Sequence, residues 1–434
     1  MTPTASRERT TTFALLAAFL AFTLSLALGA PARASADTLT APTITVSGQT
    51  LTWNAIAGVS SYVFVRKVSG QADAYSTVTG TSVTPPAVPG QTVRFSVRTN
   101  VTGSAWATEV SIAYATTTQP PPPPPPTSFA MGVTTGTAFG YELPFVTSVG
   151  ARTARLLYDI DTTAASMATV IDAYARAGVR PLLAANFYGR LPTTAEAQNV
   201  ATWAKAYGPG GTFWAGKTYP ANTAVTRIEF GHETSYSYQF ADYSLPTYAA
   251  RAQTYALRFK DAQIAVKAAN PNVGLLAIGD NAVNQDAWVV NMFKAVPDLG
   301  SRAAGWTIHP YGPNWKTRID STINSTKAAG SPDLPIWVTE WGLSTDNGRC
   351  LSDNYGYDKC MTYAVAGRTL HAALTGMLST YGSRLGAFFL YQAHDQAATG
   401  TQTGREYYFG ALQSGGQAKG AYTTEVKTDL ATYR

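Results

Sequence analysis

Cysteine, histidine and charge are all scarce in this chain. Its 434 residues include two cysteines and four histidines, and 13% are charged. Two cysteines cannot build a disulfide framework. With no third cysteine or histidine at ligand spacing beside them, Cys350 and Cys360 do not make a zinc site either. No Lys/Arg-rich run is present, so a nucleic-acid partner is not expected. The stretch His232-Glu233-Thr234-Ser235-Tyr236 lacks the second histidine of a zinc-protease helix. There is no Gly-x-Ser-x-Gly elbow and no phosphate loop. No metal and no cofactor are implied. Beyond the N-terminal apolar run, no stretch is long and apolar enough to span a bilayer.

What is present argues for two domains behind an export signal. The apolar fraction of 45% is ample for a sizeable core, and the length suits two domains. Arg7 and Arg9 precede an apolar run from Phe13 to Leu28, and Ala34-Ser35-Ala36 offers a cleavage site. Residues 1–36 read as a secretory signal peptide rather than an uncleaved anchor, giving a secreted, extracellular product. In that compartment Cys350 and Cys360 are expected to form one local disulfide. Residues 37–116 show short alternating strands, Thr50–Trp53, Tyr62–Val65 and Val93–Val97, punctuated by glycines. That pattern reads as an all-β sandwich. Residues 117–127 hold an unbroken run, Pro120 to Pro126, which reads as a stiff polyproline spacer of roughly 20 Å.

Residues 128–434 alternate strand and helix patterns. Strands are expected at Phe129–Val133, Ala154–Tyr158, Arg180–Ala185, Arg227–Phe230, Gly274–Ile278, Gly305–His309, Ile336–Glu340 and Ala387–Tyr391. Helical patterns lie between them, among them Thr163–Ala177, Thr194–Tyr207 and Thr247–Ala269. Eight such units in this length predict an α/β fold of the (β/α)8 barrel type. Active sites of that architecture gather at the C-terminal strand ends. The polar and aromatic residues of this chain gather there too.

Two strand ends carry carboxylates. In Pro335-Ile336-Trp337-Val338-Thr339-Glu340-Trp341-Gly342, side chains alternate along a strand, so Ile336, Val338 and Glu340 are expected to share one face. A carboxylate ending an apolar face is costly unless it is paired, hydrogen-bonded or working. Arg227-Ile228-Glu229-Phe230-Gly231-His232-Glu233 ends in a second one. Strands four and seven face each other across a barrel, so Glu233 and Glu340 can flank a substrate. Hydrolysis of a glycosidic bond with retention needs such a pair, one protonated and one ionised. Glu229 lies deeper and reads as the structural partner of an arginine such as Arg155. His371 falls in a helical stretch and reads as structural. His394 follows the eighth strand, where a substrate contact is open to it.

The ordered set of motifs resembles a known group. "RIEFGHE" and "PIWVTEWG" are similar to the strand-four and strand-seven motifs of clan A retaining glycoside hydrolases, family 39 and its relatives in particular. "ARLLYD" and "TIHPYG" are similar to their strand-two arginine and strand-six segments, and the tail "YYFGALQSGGQAKGAY" to their last strand exit and helix. The resemblance covers the barrel from 128 to 434. It implies Glu233 as acid/base and Glu340 as nucleophile, with Arg155 and Tyr311 keeping Glu340 ionised and oriented. With it, Asn186, His232 and His309 are read as holding sugar hydroxyls and Tyr391 as lining the site. Trp315 and Trp341 follow strands six and seven, where aromatic faces stack on sugar rings, although packing is equally open to Trp341. Two positions depart from the clan: His232 stands where it has asparagine, and Tyr391 where it has tryptophan. Residues 37–116 in turn resemble a fibronectin type III module, through Trp53 after "LT", Tyr62, "PGQTVRFSVR" and Ala105-Trp106. The expectation is a secreted, monomeric, retaining β-glycoside hydrolase acting on a wall or biomass poly- or oligosaccharide. A glycan-binding protein on a lapsed barrel and a transglycosylase using the same residues are the other readings.

Overall fold

Runs of β-branched and aromatic residues fold as strands in both parts of the chain. The structure, a computed structural model, describes residues 40–114 apart from 89. It also describes 129–434 apart from 137–138, 188, 237–238, 240–244, 246, 281–287, 351–355 and 397–403. The expected signal peptide (1–36) and proline-rich linker (117–127) lie outside these residues. Two compact units divide the chain, Met1–Pro120 and Pro121–Arg434.

In the first unit the strands are β1 (Ile44–Ser47), β2 (Thr50–Trp53), β3 (Tyr62–Lys67), β4 (Ala74–Val78), β5 (Ser82–Val83), β6 (Thr92–Thr99) and β7 (Val110–Ala113). They form two antiparallel sheets, β1-β2-β5 and β4-β3-β6-β7. Alternate residues from both sheets, Leu51 and Trp53 with Tyr62, Phe64, Val93, Phe95 and Val97, make one core. Trp53 and Tyr62 meet edge to face at 5.6 Å. That packing is worth about 1 kcal/mol beyond the buried area.

The second unit opens with β8 (Ala130–Thr134), α1 (Phe139–Ser148), β9 (Thr153–Asp159) and α2 (Ala164–Arg176). Next come β10 (Arg180–Asn186), α3 (Thr194–Gln198), α4 (Val200–Tyr207), β11 (Arg227–Phe230) and α5 (Tyr248–Ala269). The middle holds β12 (Gly274–Ile278), α6 (Trp288–Ala295), α7 (Leu299–Arg302), β13 (Trp306–Ile308) and α8 (Trp315–Ala328). It ends with β14 (Ile336–Trp341), α9 (Tyr363–Tyr381), β15 (Leu385–Leu390) and α10 (Ala421–Thr432). Strands β8 to β15 pair in parallel in chain order, and β15 closes on β8. This is the expected (β/α)8 barrel, with the eight strands where the sequence puts them apart from end residues. Threonine opens α2, α3, α5 and α9 as N-cap, its side chain accepting from the first turn.

Two apolar layers orient the strands. Leu156, Leu183, Ile228, Leu275 and Phe388 belong to the cluster that includes the helices. Their neighbours Leu182, Leu276, Ala387 and Phe389, with Trp337 against them, fill the lower barrel interior. Ile336 and Val338 fall in the helix-side layer, so strict alternation would turn Glu340 away from the barrel. It does not, because the β14–β15 register shifts between Val338 and Trp341. The irregularity aims both Thr339 and Glu340 inward. The expectation that Glu340 shares a face with Ile336 and Val338 is thus corrected.

Candidate active site

One guanidinium ties three strands together at the barrel mouth. Arg155 on β9 is fully buried. Its Nε donates to Glu229 Oε2 at 2.5 Å and its Nη1 to Glu340 Oε1 at 2.6 Å. Its Nη2 lies 3.0 Å from His232 Nδ1. A buried cation is tolerable only when paired and hydrogen-bonded in this way. Arginine has donors only, so His232 Nδ1 must accept, and the proton of the neutral ring sits on Nε2. Burial, above all, holds His232 below the usual imidazole range, which favours that neutral form.

Glu340 is almost closed off, 5% exposed. Its second oxygen takes a hydrogen bond from the Tyr311 hydroxyl at 3.0 Å. Burial on its own would push its carboxyl up. The surrounding His309, Arg155 and His232 outweigh burial and hold it below the ordinary carboxylate value. Glu340 is therefore poised as a stable anion with both oxygens aimed by donors.

Glu233 reaches the same point from a turn. β11 ends at Phe230, Gly231 follows with φ of +105°, and Glu233 itself has φ of +48°. A Cβ at Gly231 would lie 2.5 Å from Thr234 Oγ1, so only glycine fits. The left-handed backbone at Glu233 throws its side chain across the mouth. There Oε1 lies 3.0 Å from His309 Nδ1, and Gln239 Nε2 donates to Oε2 at 3.4 Å.

His309 joins the two carboxylates. Its Nδ1 is 3.0 Å from Glu233 and 3.6 Å from Glu340 Oε2. The two nearest carboxylate oxygens are therefore no further apart than the sum of those distances. That bound admits the about 5–5.5 Å of a retaining pair. On the far side of the ring, Nε2 lies 3.1 Å from Thr339 Oγ1, whose own proton goes to Glu229 Oε1 at 2.8 Å. Thr339 must accept from Nε2–H, so Nδ1 and Glu233 share one proton between them. Burial lowers His309, yet Glu340 and Glu233 more than offset it and raise the ring above its ordinary value. The site thus holds one carboxylate without a proton and one with a proton on loan.

Not every expected residue stands where the motifs imply. Trp341 is 1% exposed and packs on Phe388, so it cannot stack on a sugar. His309 is 4% exposed with both nitrogens engaged, so it supports Glu233 rather than a sugar hydroxyl. Trp315 begins α8 and packs against Gly376 and Tyr381 on α9, away from the cleft. Asn186 ends β10 half-buried. Tyr391, half-buried beyond β15, lies 6.4 Å from the Tyr311 ring and 5.3 Å from Phe409. His394 packs on Phe145 at 4.2 Å and on exposed Tyr141. His371 binds Asp429 at 2.8 Å between α9 and α10. Cys350 and Cys360 are bridged.

Several contributors escape the sequence. Thr339 precedes Glu340 but belongs on the opposite face by alternation; only the strand irregularity brings both inward. Gln239 sits in a segment with no pattern. Asp280, two residues past β12, is buried. It accepts from Tyr236 Oη at 3.1 Å, from the His309 backbone at 3.2 Å and from Arg318 at 3.0 Å.

No protein-family model matches this sequence, and no curated protein does. Solved structures similar to it include a family 39 glycoside hydrolase from the gut symbiont Bacteroides cellulosilyticus, at 15% identity and a TM-score of 0.46, over 91% of this chain and 79% of that one. A family 51 α-L-arabinofuranosidase from Bifidobacterium longum is 13% identical with a TM-score of 0.46, over 71% and 73% of the two chains. A family 113 β-1,4-mannanase is 12% identical with a TM-score of 0.40, over 69% and 98%. A shared barrel does not by itself assign chemistry, which rests on the residues at the mouth.

Proposed function

We propose that the barrel is a retaining β-glycoside hydrolase that cleaves poly- or oligosaccharide by double displacement. The observation that carries this reading is the placement of Glu233 and Glu340 on either side of His309 Nδ1. Glu340, held ionised by Arg155 and Tyr311, attacks the anomeric carbon. Glu233 gives the shared proton to the leaving oxygen. Water then enters, Glu233 takes its proton, and the glycosyl–Glu340 ester opens. His232 Nε2–H stands 4.0 Å from Glu233 and is placed to donate to a sugar hydroxyl, in the role that asparagine has in the clan. The signal peptide read at residues 1–36 supports a secreted enzyme, for which wall or biomass glycan is the substrate in reach. The N-terminal unit reads as a fibronectin type III-like accessory module.

The test separates the two glutamates on an aryl glycoside with a good leaving group. Glu340→Gln should abolish turnover, because among the described residues no other carboxylate is placed to attack. Glu233→Ala should still form the glycosyl-enzyme but release it about 10²–10⁴-fold more slowly for want of a base. Azide needs no base and should restore release. Product stereochemistry, followed by NMR, should show retention. Inversion, or full activity in Glu340→Gln, would overturn the assignment.

A further inference from the structure

The four-stranded sheet of the N-terminal unit carries two exposed rings on its outer face. Tyr62, Phe64, Phe95 and Val97 point into the core, so alternation turns Val65, Lys67, Arg94, Ser96 and Arg98 outward. The segment before β7 brings Trp106 onto that face. Tyr75, paired opposite Val65 on the edge strand β4, stands beside it, ring centres 6.1 Å apart and planes at 52°. Tyr75 is 62% and Trp106 40% exposed, while Val65 and Ser96 beneath them are buried. Large aromatic surface left in water on a rigid sheet is the usual mark of a binding site.

The surroundings define the ligand. A pocket of about 160 Å³, room for a single sugar ring, has Val65 and Ser96 as floor, Tyr75 and Trp106 as walls, and Lys67 and Glu109 at its rim. Arg98 lies over the indole at 5.2 Å and donates to the carbonyls of Thr99 and Val101, which fixes the Trp106 ring in place. Lys67 pairs with Glu109, and Arg94 donates to the same carboxylate at 3.1 Å. Lys67 and Arg94 thus share Glu109 while Arg98 is held by carbonyl oxygens, so each of these side chains already has a partner.

We propose that this pocket is a second carbohydrate site, taking one pyranose of a neutral polysaccharide chain. A pyranose offers a face of C–H groups and an equator of hydroxyls. The C–H face packs on an indole or phenol ring, whose face is electron-rich. The hydroxyls accept from Lys67 and donate to Glu109. Residues Ala74–Thr77 of the edge strand are all exposed, which leaves a polymer room to continue past the pocket. The choice of a sugar as ligand rests on the reading of the barrel as a glycosidase.

The experiment uses the whole chain as wild type, Tyr75→Ala, Trp106→Phe and the double alanine variant. Each is sedimented with insoluble cellulose, xylan, mannan and β-1,3-glucan, and turnover of a soluble aryl glycoside is measured in parallel. Wild type should be retained on at least one polymer, and the double variant should lose at least tenfold of that retention with soluble turnover unchanged. Tyr75→Ala, at an exposed position of the edge strand, should lose retention too, which keeps the test valid if the double variant fails to fold. Soluble oligosaccharide of the retained polymer should shift the tryptophan emission of wild type but not of Trp106→Phe. Equal retention by the variants, or retention of wild type on no polymer, overturns the proposal. So does tighter binding of a synthetic TTQPPPPPPPT peptide, which would assign the rings to the chain's own proline-rich segment. Retention without any aryl-glycoside turnover would instead count against the barrel reading alone.

Discussion

At the residue scale the site is a set of buried charges that depend on each other. Arg155 neutralises Glu229 and Glu340 at once. Removing it leaves two carboxylates buried without their cation, which costs about 3–5 kcal/mol. Arg155→Met should therefore lower the melting midpoint of the barrel by about 10 °C and raise the pH at which Glu340 becomes ionised. Calorimetry and a pH–rate profile would check both. The profile of the native protein follows from the directions of the shifts. In the proposed double displacement Glu340 must be ionised, and its carboxyl is held below the ordinary 4.5, so the acid limb should lie below pH 4.5. The Glu233–His309 pair must keep its shared proton, and His309 is raised above 6.5, so the alkaline limb should lie above pH 6.5. The same shift makes the folded state favour protonated His309. That stability is complete below the unfolded pKa and is lost as pH rises through the folded one. His309→Asn should pull the alkaline limb down and lower kcat more than it raises KM. An unmoved alkaline limb would show that the ring only fills space.

At the element scale, the junction of β14 and β15 decides whether those charges meet. Gly342 passes so close to β15 that a Cβ there would lie 2.1 Å from the Tyr391 carbonyl oxygen. Gly342→Ala should part the two strands and shift Glu340 by a fraction of an ångström or more. Misplacement on that scale costs about 10²-fold in rate, so kcat/KM should fall by about that much and stability with it. Gly140 in α1 has nothing within 4 Å of such a Cβ, and Gly140→Ala should leave activity unchanged. The sequence shows these elements unevenly, for physical reasons. Strands announce themselves through runs such as Ile336–Val338, because β-branched residues suit a pleated, buried surface. The carboxylates at strand ends stand out because their apolar neighbours make them costly. Helix α1 does not stand out, because Pro144 lies inside it and a proline reads as a stop. The irregularity in β14 leaves no mark on composition, since it is a property of pairing with β15. That is why Thr339 is hidden from a period-two reading.

At the scale of the whole molecule, every residue assigned to the chemistry lies in the second unit. Arg155, His232, Glu233, His309, Tyr311, Thr339 and Glu340 hold one another, and none of their hydrogen bonds given above leaves the barrel. Each unit also has its own apolar core, one gathered from β1 to β7 and the other from the strands and helices of the barrel. A domain with its own core and its own closed sheet folds without its neighbour. Deleting residues 1–127 should therefore leave a soluble protein with the melting transition of the barrel. Its kcat/KM on a soluble aryl glycoside should stay within about twofold of the whole chain, since uniform loss at the site would need a lost contact. On insoluble polysaccharide the outcome should differ. If the Tyr75–Trp106 pocket raises the local concentration of enzyme on the polymer, the truncated form loses that advantage by an amount set by the effective concentration of the tether. Parallel assays on soluble and insoluble forms of the same glycan measure the two effects separately. Loss of soluble turnover in a folded truncated barrel would show that the N-terminal unit completes the site, and the division of labour drawn here would fall.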